Sequence, residues 1–115
     1  MTIRILLIDD NPEEYGFMKK RYPDFEWVWL PSMIFAKLLL QFDRKFNEIL
    51  VDISGTSMPG RWESEVRELE TWYKGKITAI SNVFTPMDSP VTFYTKDDVL
   101  GYLTKSYDVA DKYPG

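Results

Sequence analysis

Residues 3–8 read Ile-Arg-Ile-Leu-Leu-Ile, an almost unbroken apolar run that stops at Asp9-Asp10-Asn11-Pro12. A strand with one solvated face alternates apolar and polar residues. A continuous run instead means burial on both faces, the mark of a parallel sheet covered by helices on either side. The next residues supply a helix start, with Asn11 as cap, Pro12 at the first helical position, and Glu13 and Glu14 facing the positive end of the helix dipole. A buried strand feeding directly into a helix is the repeating unit of an α/β protein, and the rest of the chain repeats it.

The first helix is predicted over 12–22, stopped by Pro23, and the second strand over 25–30. Pro31-Ser32 opens a helix running to about Asp43. Its Met33, Ile34, Phe35, Leu38, Leu39, Leu40 and Phe42 are too many for one buried face, so it is either wedged deeply or offers an apolar surface to a partner. The third strand is predicted over 47–53 and ends at Asp52, and 54–60 is loop. Over 61–74, Trp62, Val66, Leu69 and Tyr73 recur at helical spacing, and Gly75 is the expected C-cap. The fourth strand falls over 76–81, the fifth over 91–95 and the last helix over 97–107, with Val99, Leu100, Leu103 and Tyr107 inward and the tail beyond it fraying. Strands alternating with helices imply right-handed crossovers and a parallel sheet covered by helices on both faces. The 115 residues are expected to form one domain spanning 1–115.

Composition then narrows the chemistry. The chain has no cysteine and no histidine, which removes disulfides, zinc-thiolate sites, thiol catalysis, Ser-His-Asp triads and histidine bases. Fourteen basic against eighteen acidic residues give a net charge of −4, which repels phosphate overall and argues against nucleic acid as a partner. The apolar stretches are too short to span a bilayer, and the N-terminus does not read as a signal peptide, so a cytoplasmic protein without membrane association is expected. What chemistry remains must run on carboxylates, hydroxyls and lysines.

Those groups fall where an α/β sheet binds its ligands, at the carboxyl ends of strands. Asp9 and Asp10 follow the first strand, Asp52 ends the third, Ser81 ends the fourth and Lys96 follows the fifth. Taken singly, each is also an ordinary turn, cap or solvated residue. Together, three carboxylates suit a hard cation such as Mg²⁺, a lone ammonium suits a phosphoryl oxygen, and an aspartate in that setting is a potential nucleophile.

With these residues in view, the chain resembles the receiver domains of two-component response regulators over essentially its whole length. Ile-Leu-Leu-Ile-Asp9-Asp10-Asn11 matches the family's acidic pair, and Ile49-Leu50-Val51-Asp52 matches its phosphoacceptor strand at the family spacing. Met58-Pro59-Gly60 echoes its Met-Pro turn, Ser81 its hydroxyl switch position, Phe93 its aromatic switch position and Lys96 its lysine. The resemblance implies a flavodoxin-like α/β/α sandwich whose five-stranded parallel sheet is ordered 2-1-3-4-5. It implies that Asp52 accepts a phosphoryl group from a phosphohistidine on a histidine kinase or phosphotransfer protein. It also implies that Asp9, Asp10, Asp52 and the backbone carbonyl of Ser54 hold Mg²⁺, and that Ser81 and Lys96 bind phosphoryl oxygens. Such a domain is not an enzyme beyond its own phosphotransfer and autodephosphorylation. Output would pass through contacts with a downstream protein, from a monomer or weak dimer.

Three departures stand out. The Met-Pro pair lies further from Asp52 than in the family. The interval from Ser81 to Lys96 is short and carries Pro86 and Pro90, so the family's fourth helix should be shortened or absent, leaving Phe84, Met87 and Tyr94 partly exposed. Lys96 is followed by Asp97 rather than by the proline whose preceding bond is commonly cis, which leaves either a strained bond or a lysine with a different aim. The alternative reading is a pseudo-receiver, the same fold serving as a phosphorylation-independent adaptor. An aspartate-nucleophile phosphatase is disfavoured because neither Asp9-Asp10 nor Asp52-Ile53-Ser54 supplies its Asp-x-Asp.

Overall fold

The first apolar run is strand β1 (Arg4–Ile8), and it sits inside the sheet, flanked by β2 (Glu26–Leu30) and β3 (Glu48–Asp52), with β4 (Lys76–Ile80) and β5 (Thr92–Tyr94) beyond. A computed structural model describes residues 2–53, 61–81 and 92–111. All four strand pairings are parallel, as the alternation of elements predicts, and the order is 2-1-3-4-5, as the receiver resemblance implies. The described helices are α1 (Pro12–Arg21), α2 (Met33–Leu40), α3 (Trp62–Glu68), which continues into a 3₁₀ turn (Leu69–Thr71), and α4 (Lys96–Tyr107).

Strand geometry divides the core in two, because successive side chains point to opposite faces. On one face Leu6, Ile8, Ile49, Val51 and Ala79 pack with Met33, Ala36 and Leu40 of α2 and with Val66, Leu69 and Tyr73 of the α3 segment. On the other, Ile5, Leu7, Leu50 and Ile80 pack with Met18 and Tyr22 from α1 and Val99 and Leu103 from α4. These inner strands are buried along their length, which is why they read as runs rather than alternations.

Several boundaries differ from expectation, and each has a physical cause. Phe25 precedes β2 rather than opening it, since its amide donates to the Tyr22 carbonyl at 3.2 Å in the turn closing α1. The second helix stops at Leu40 instead of near Asp43, because Asp43 is drawn into a bidentate pairing with Arg4 at 2.8 and 3.0 Å. Helix α3 tightens after Glu68, so Gly75 is not its cap; a Cβ there would lie 2.4 Å from the Tyr73 hydroxyl, which donates to the Phe46 carbonyl at 3.0 Å. Gly75 is required for that close approach, not for a left-handed backbone. The last helix begins at Lys96, not Asp97, because Thr95 caps it by accepting from the Asp98 amide. The expected loop at 54–60, the shortened-helix interval at 82–91 and the tail at 112–115 lie outside the described residues. Among the described residues no helix is long and apolar enough to cross a membrane.

Candidate functional site

Strand order reverses between β1 and its neighbours β2 and β3, and α/β sheets bind ligands beside such a switch point. Register brings the chemistry there. Ile8 pairs with Val51, so Asp9 and Asp52 leave adjacent strands side by side, and Asp52 in turn pairs with Ile80, which places Ser81 one residue beyond. Asp9, Asp52 and Ser81 are buried and Asp10 is exposed. One carboxylate oxygen from each of Asp9, Asp10 and Asp52 lies within 4.8 Å of the others.

Backbone hydrogen bonds hold this arrangement. The Asp9 side chain accepts from the Asn11 amide at 2.9 Å while the Asn11 side chain accepts from the Glu13 amide at 3.0 Å, so the turn after β1 is also the start of α1. The Ser81 amide donates to the Tyr94 carbonyl at 3.1 Å, tying the end of β4 to the end of β5. Two residues on, the Lys96 ammonium lies 3.5 Å from Oδ2 of Asp52 and 3.2 Å from Oε1 of Glu14. No peptide bond among the described residues is cis, and the lysine reaches the acidic cluster all the same. Phe93 is half-buried on β5 with its ring 6.3 Å from that of Trp62. Tyr94 is half-buried, in keeping with the partial exposure expected of it, and is stacked on Tyr102 at 4.6 Å.

The electrostatics follow from the crowding. Burial, with the neighbouring Asp52 charge adding to it, pushes the Asp9 carboxyl up to about 7 despite its hydrogen bond from Asn11. Burial works against the Lys96 charge, but the Glu14 hydrogen bond and the charges of Asp52, Glu14 and Asp9 outweigh it and raise the ammonium above its ordinary value. The cluster is therefore rich in anionic oxygen and only partly neutralised by one lysine, a donor set that fits a hard divalent cation. A groove of about 390 Å³ opens next to it between α1 and α4, lined by Asp9 and Lys96 at its rim and by Leu7, Met18, Ile80 and Val99 deeper in.

Of the residues singled out from sequence, the structure brings together Asp9, Asp10, Asp52 and Lys96 and sets Ser81 and Phe93 on the adjoining strand ends; Ser54 is outside the described residues. Glu14 was read only as a complement to the helix dipole, yet it is the nearer carboxylate to Lys96. Trp29 was also missed: its indole donates to the Asp9 backbone carbonyl at 2.7 Å, which puts a fluorophore beside the cluster.

No protein-family model and no curated protein matches the sequence. Solved structures match its fold. The receiver domain of a sensor histidine kinase from Pseudomonas aeruginosa PAO1, with a magnesium ion coordinated in its active-site cleft, is similar at TM-score 0.69 and 17% identity over 95% of this chain and 100% of that one. The receiver domain of a response regulator from Saccharomyces cerevisiae, crystallised with its histidine phosphotransfer protein, is similar at TM-score 0.68 and 16% identity over 91% and 86% of the two chains. A protein from Rhodopirellula baltica named an adenylate cyclase is similar at TM-score 0.71 and 21% identity over 94% and 91%. Sheet order, helix layers and an acidic cluster at the switch point define a flavodoxin-like α/β protein. More narrowly, the chain has the fold of a response-regulator receiver domain, in a divergent sequence.

Proposed function

We propose that the protein is a phosphorylatable receiver that takes a phosphoryl group on Asp52 from a phosphohistidine of a histidine kinase or phosphotransfer protein. The observation that carries this reading is the convergence of the Asp9, Asp10 and Asp52 oxygens within 4.8 Å, with the Lys96 ammonium 3.5 Å from Asp52. In the transfer a carboxylate oxygen of Asp52 forms the new P–O bond as the N–P bond to the donor imidazole breaks, and the imidazole nitrogen recovers a proton. Asp9, Asp10 and Asp52, with the Ser54 carbonyl, would hold Mg²⁺, which supplies neutralisation of the phosphoryl oxygens' charge. Lys96 and the Ser81 hydroxyl take further phosphoryl oxygens, so Lys96 exchanges its contact with Asp52 for one with the incoming group while Glu14 keeps it in place. Phe93, on the strand that Ser81 contacts through Tyr94, relays the change to a downstream protein. The magnesium-bearing kinase receiver and the receiver solved with a phosphotransfer protein support the metal and the donor by analogy of fold. A cytoplasmic setting accords with a histidine-kinase partner.

The adaptor reading has one observation in its favour: Glu14 as well as Asp52 engages Lys96, a closed arrangement that needs no phosphoryl group. Intact-mass measurement after incubation with acetyl phosphate and Mg²⁺ separates the two. The receiver gains one acid-stable, base-labile phosphoryl group, and Asp52→Asn gains none. A wild-type protein unmodified by acetyl phosphate and by a phosphohistidine donor is an adaptor.

Removing the lysine's charge tests the metal cluster directly. Lys96→Met should tighten Mg²⁺ binding about fivefold, because a unit charge several ångströms from a divalent cation costs roughly 1 kcal/mol at high effective dielectric. Trp29 fluorescence provides the titration signal. Unchanged or weaker affinity in the variant would place the cation elsewhere.

A further inference from the structure

Helix α2 buries Met33, Ala36 and Leu40 against the sheet, and its opposite side is apolar too. Ile34 is 70% exposed, Phe35 51%, Leu38 51% and Phe42, in the turn that extends the helix, 88%. Helical periodicity aligns these four in one strip about 12 Å long. Lys37, the sole charge in residues 33–42, is tied to Glu68 at 2.5 Å and leaves the strip uncharged. None of these four residues belongs to the acidic cluster, and nothing in the receiver chemistry uses them.

We propose that this strip is a dimer interface in which a second copy of the chain packs its own α2 antiparallel across it. Area supports that occupant. The four side chains expose roughly 500–600 Å² of apolar surface, the upper end for a monomer's largest patch. Pairing two copies removes at most about 1,000 Å² from these residues, and a flanking rim of the same face supplies the remainder of the ~1,200 Å² at which specific interfaces begin. The strip is also self-complementary. Ile34 and Phe42 lie four positions to either side of Leu38, so a two-fold axis at Leu38 sets each Phe42 ring over the second copy's Ile34 and Phe35. With Lys37 neutralised by Glu68, that axis brings no like charges together, which matters for a chain of net charge −4.

Sedimentation velocity across the micromolar range should reveal a concentration-dependent monomer–dimer equilibrium in the unmodified protein. Leu38→Glu, which opposes two carboxylates at the axis, should weaken it by a hundredfold or more and leave the circular-dichroism melt unchanged, the side chain being exposed. The chain lacks cysteine, so Leu38→Cys carries a unique thiol that a short bismaleimide should link into dimers, whereas Lys20→Cys on α1 should stay monomeric. A protein monomeric at hundreds of micromolar overturns the proposal and assigns the strip to a different partner. A dimer indifferent to Leu38→Glu, or linked equally well through position 20, overturns it by placing the interface elsewhere.

Discussion

Replacing Glu48 with alanine is expected to destabilise the fold by about 3–5 kcal/mol and to lower its melting temperature by roughly 12–20 °C. Glu48 opens β3 and is fully buried, at the end of the sheet opposite the acidic cluster. Its carboxylate accepts from Thr78 at 2.6 Å, from Tyr102 at 2.8 Å to both oxygens and from Tyr107 at 2.6 Å. Burial, together with the neighbouring Glu48, raises both tyrosine hydroxyls' pKa values. Three hydroxyl donors thus replace the water that a buried carboxylate gives up, and two of them come from α4, so the residue pins that helix to the sheet. Alanine leaves all three without an acceptor and a cavity between them, and each stranded donor costs about 1–3 kcal/mol. Glu48→Gln keeps an acceptor oxygen and should cost only about 1–2 kcal/mol. Thermal and urea unfolding followed by circular dichroism measure both. A Glu48→Ala protein within 1 kcal/mol of the wild type would mean the hydroxyls find other acceptors and the network is not structural.

Glu48 also marks where the sequence stops being legible. A glutamate at the head of an apolar strand reads as a solvated end, and the partners that contradict this reading stand 54 and 59 positions away. Local pattern carries no information over that distance. The same limit governs α2: periodicity shows that Ile34, Phe35, Leu38 and Phe42 exceed one buried face, but only the placement of the sheet decides that they face outward. By contrast, Asp9, Asp52, Ser81 and Lys96 were legible because strand ends and strand order together determine their neighbourhood: the ends can be read from apolar runs and helix starts, and the order follows from the resemblance to receiver domains. What escaped was pairing within the site. Glu14 sits where any helix favours a carboxylate, so its contact with Lys96 adds nothing visible to the pattern. Of the boundaries that moved, the one at Asp43 did so for a contact to Arg4, 39 positions away, and the one at Gly75 for a ring whose position depends on the core. The one at Phe25 moved for a hydrogen bond to the Tyr22 carbonyl, whose geometry the residue types do not reveal.

In the absence of divalent cations, the stability of this protein should fall as pH rises from about 4 to about 7, and Asp9→Asn should abolish most of that fall. Asp9 has an ordinary pKa of 3.8 in the unfolded chain and about 7 in the folded one, where burial and then Asp52 oppose its charge. Between those values the folded protein holds a proton that the unfolded chain has released, so the group's contribution is fully present below pH 3.8 and lost as pH passes 7. The loss is at most about 4 kcal/mol. Asparagine keeps the oxygen that accepts from the Asn11 amide but carries no charge, so at pH 8 in chelator it should be the more stable protein by about 2–4 kcal/mol. Mg²⁺ acts in the opposite sense. A divalent cation competes with the proton for the same oxygens, so its stabilisation should be near zero at pH 5 and approach 1.4 kcal/mol at pH 8 once its concentration is about tenfold above its dissociation constant. Urea unfolding across pH, with and without Mg²⁺, tests both halves in one series. A flat pH dependence in chelator would deny that Asp9 carries the strain. A Mg²⁺ effect equal in the wild type and Asp9→Asn would take the metal away from the cluster. The two results together would give the costly Asp9 carboxylate beside Asp52 a role, since its unfavourable charge is what a bound cation would relieve.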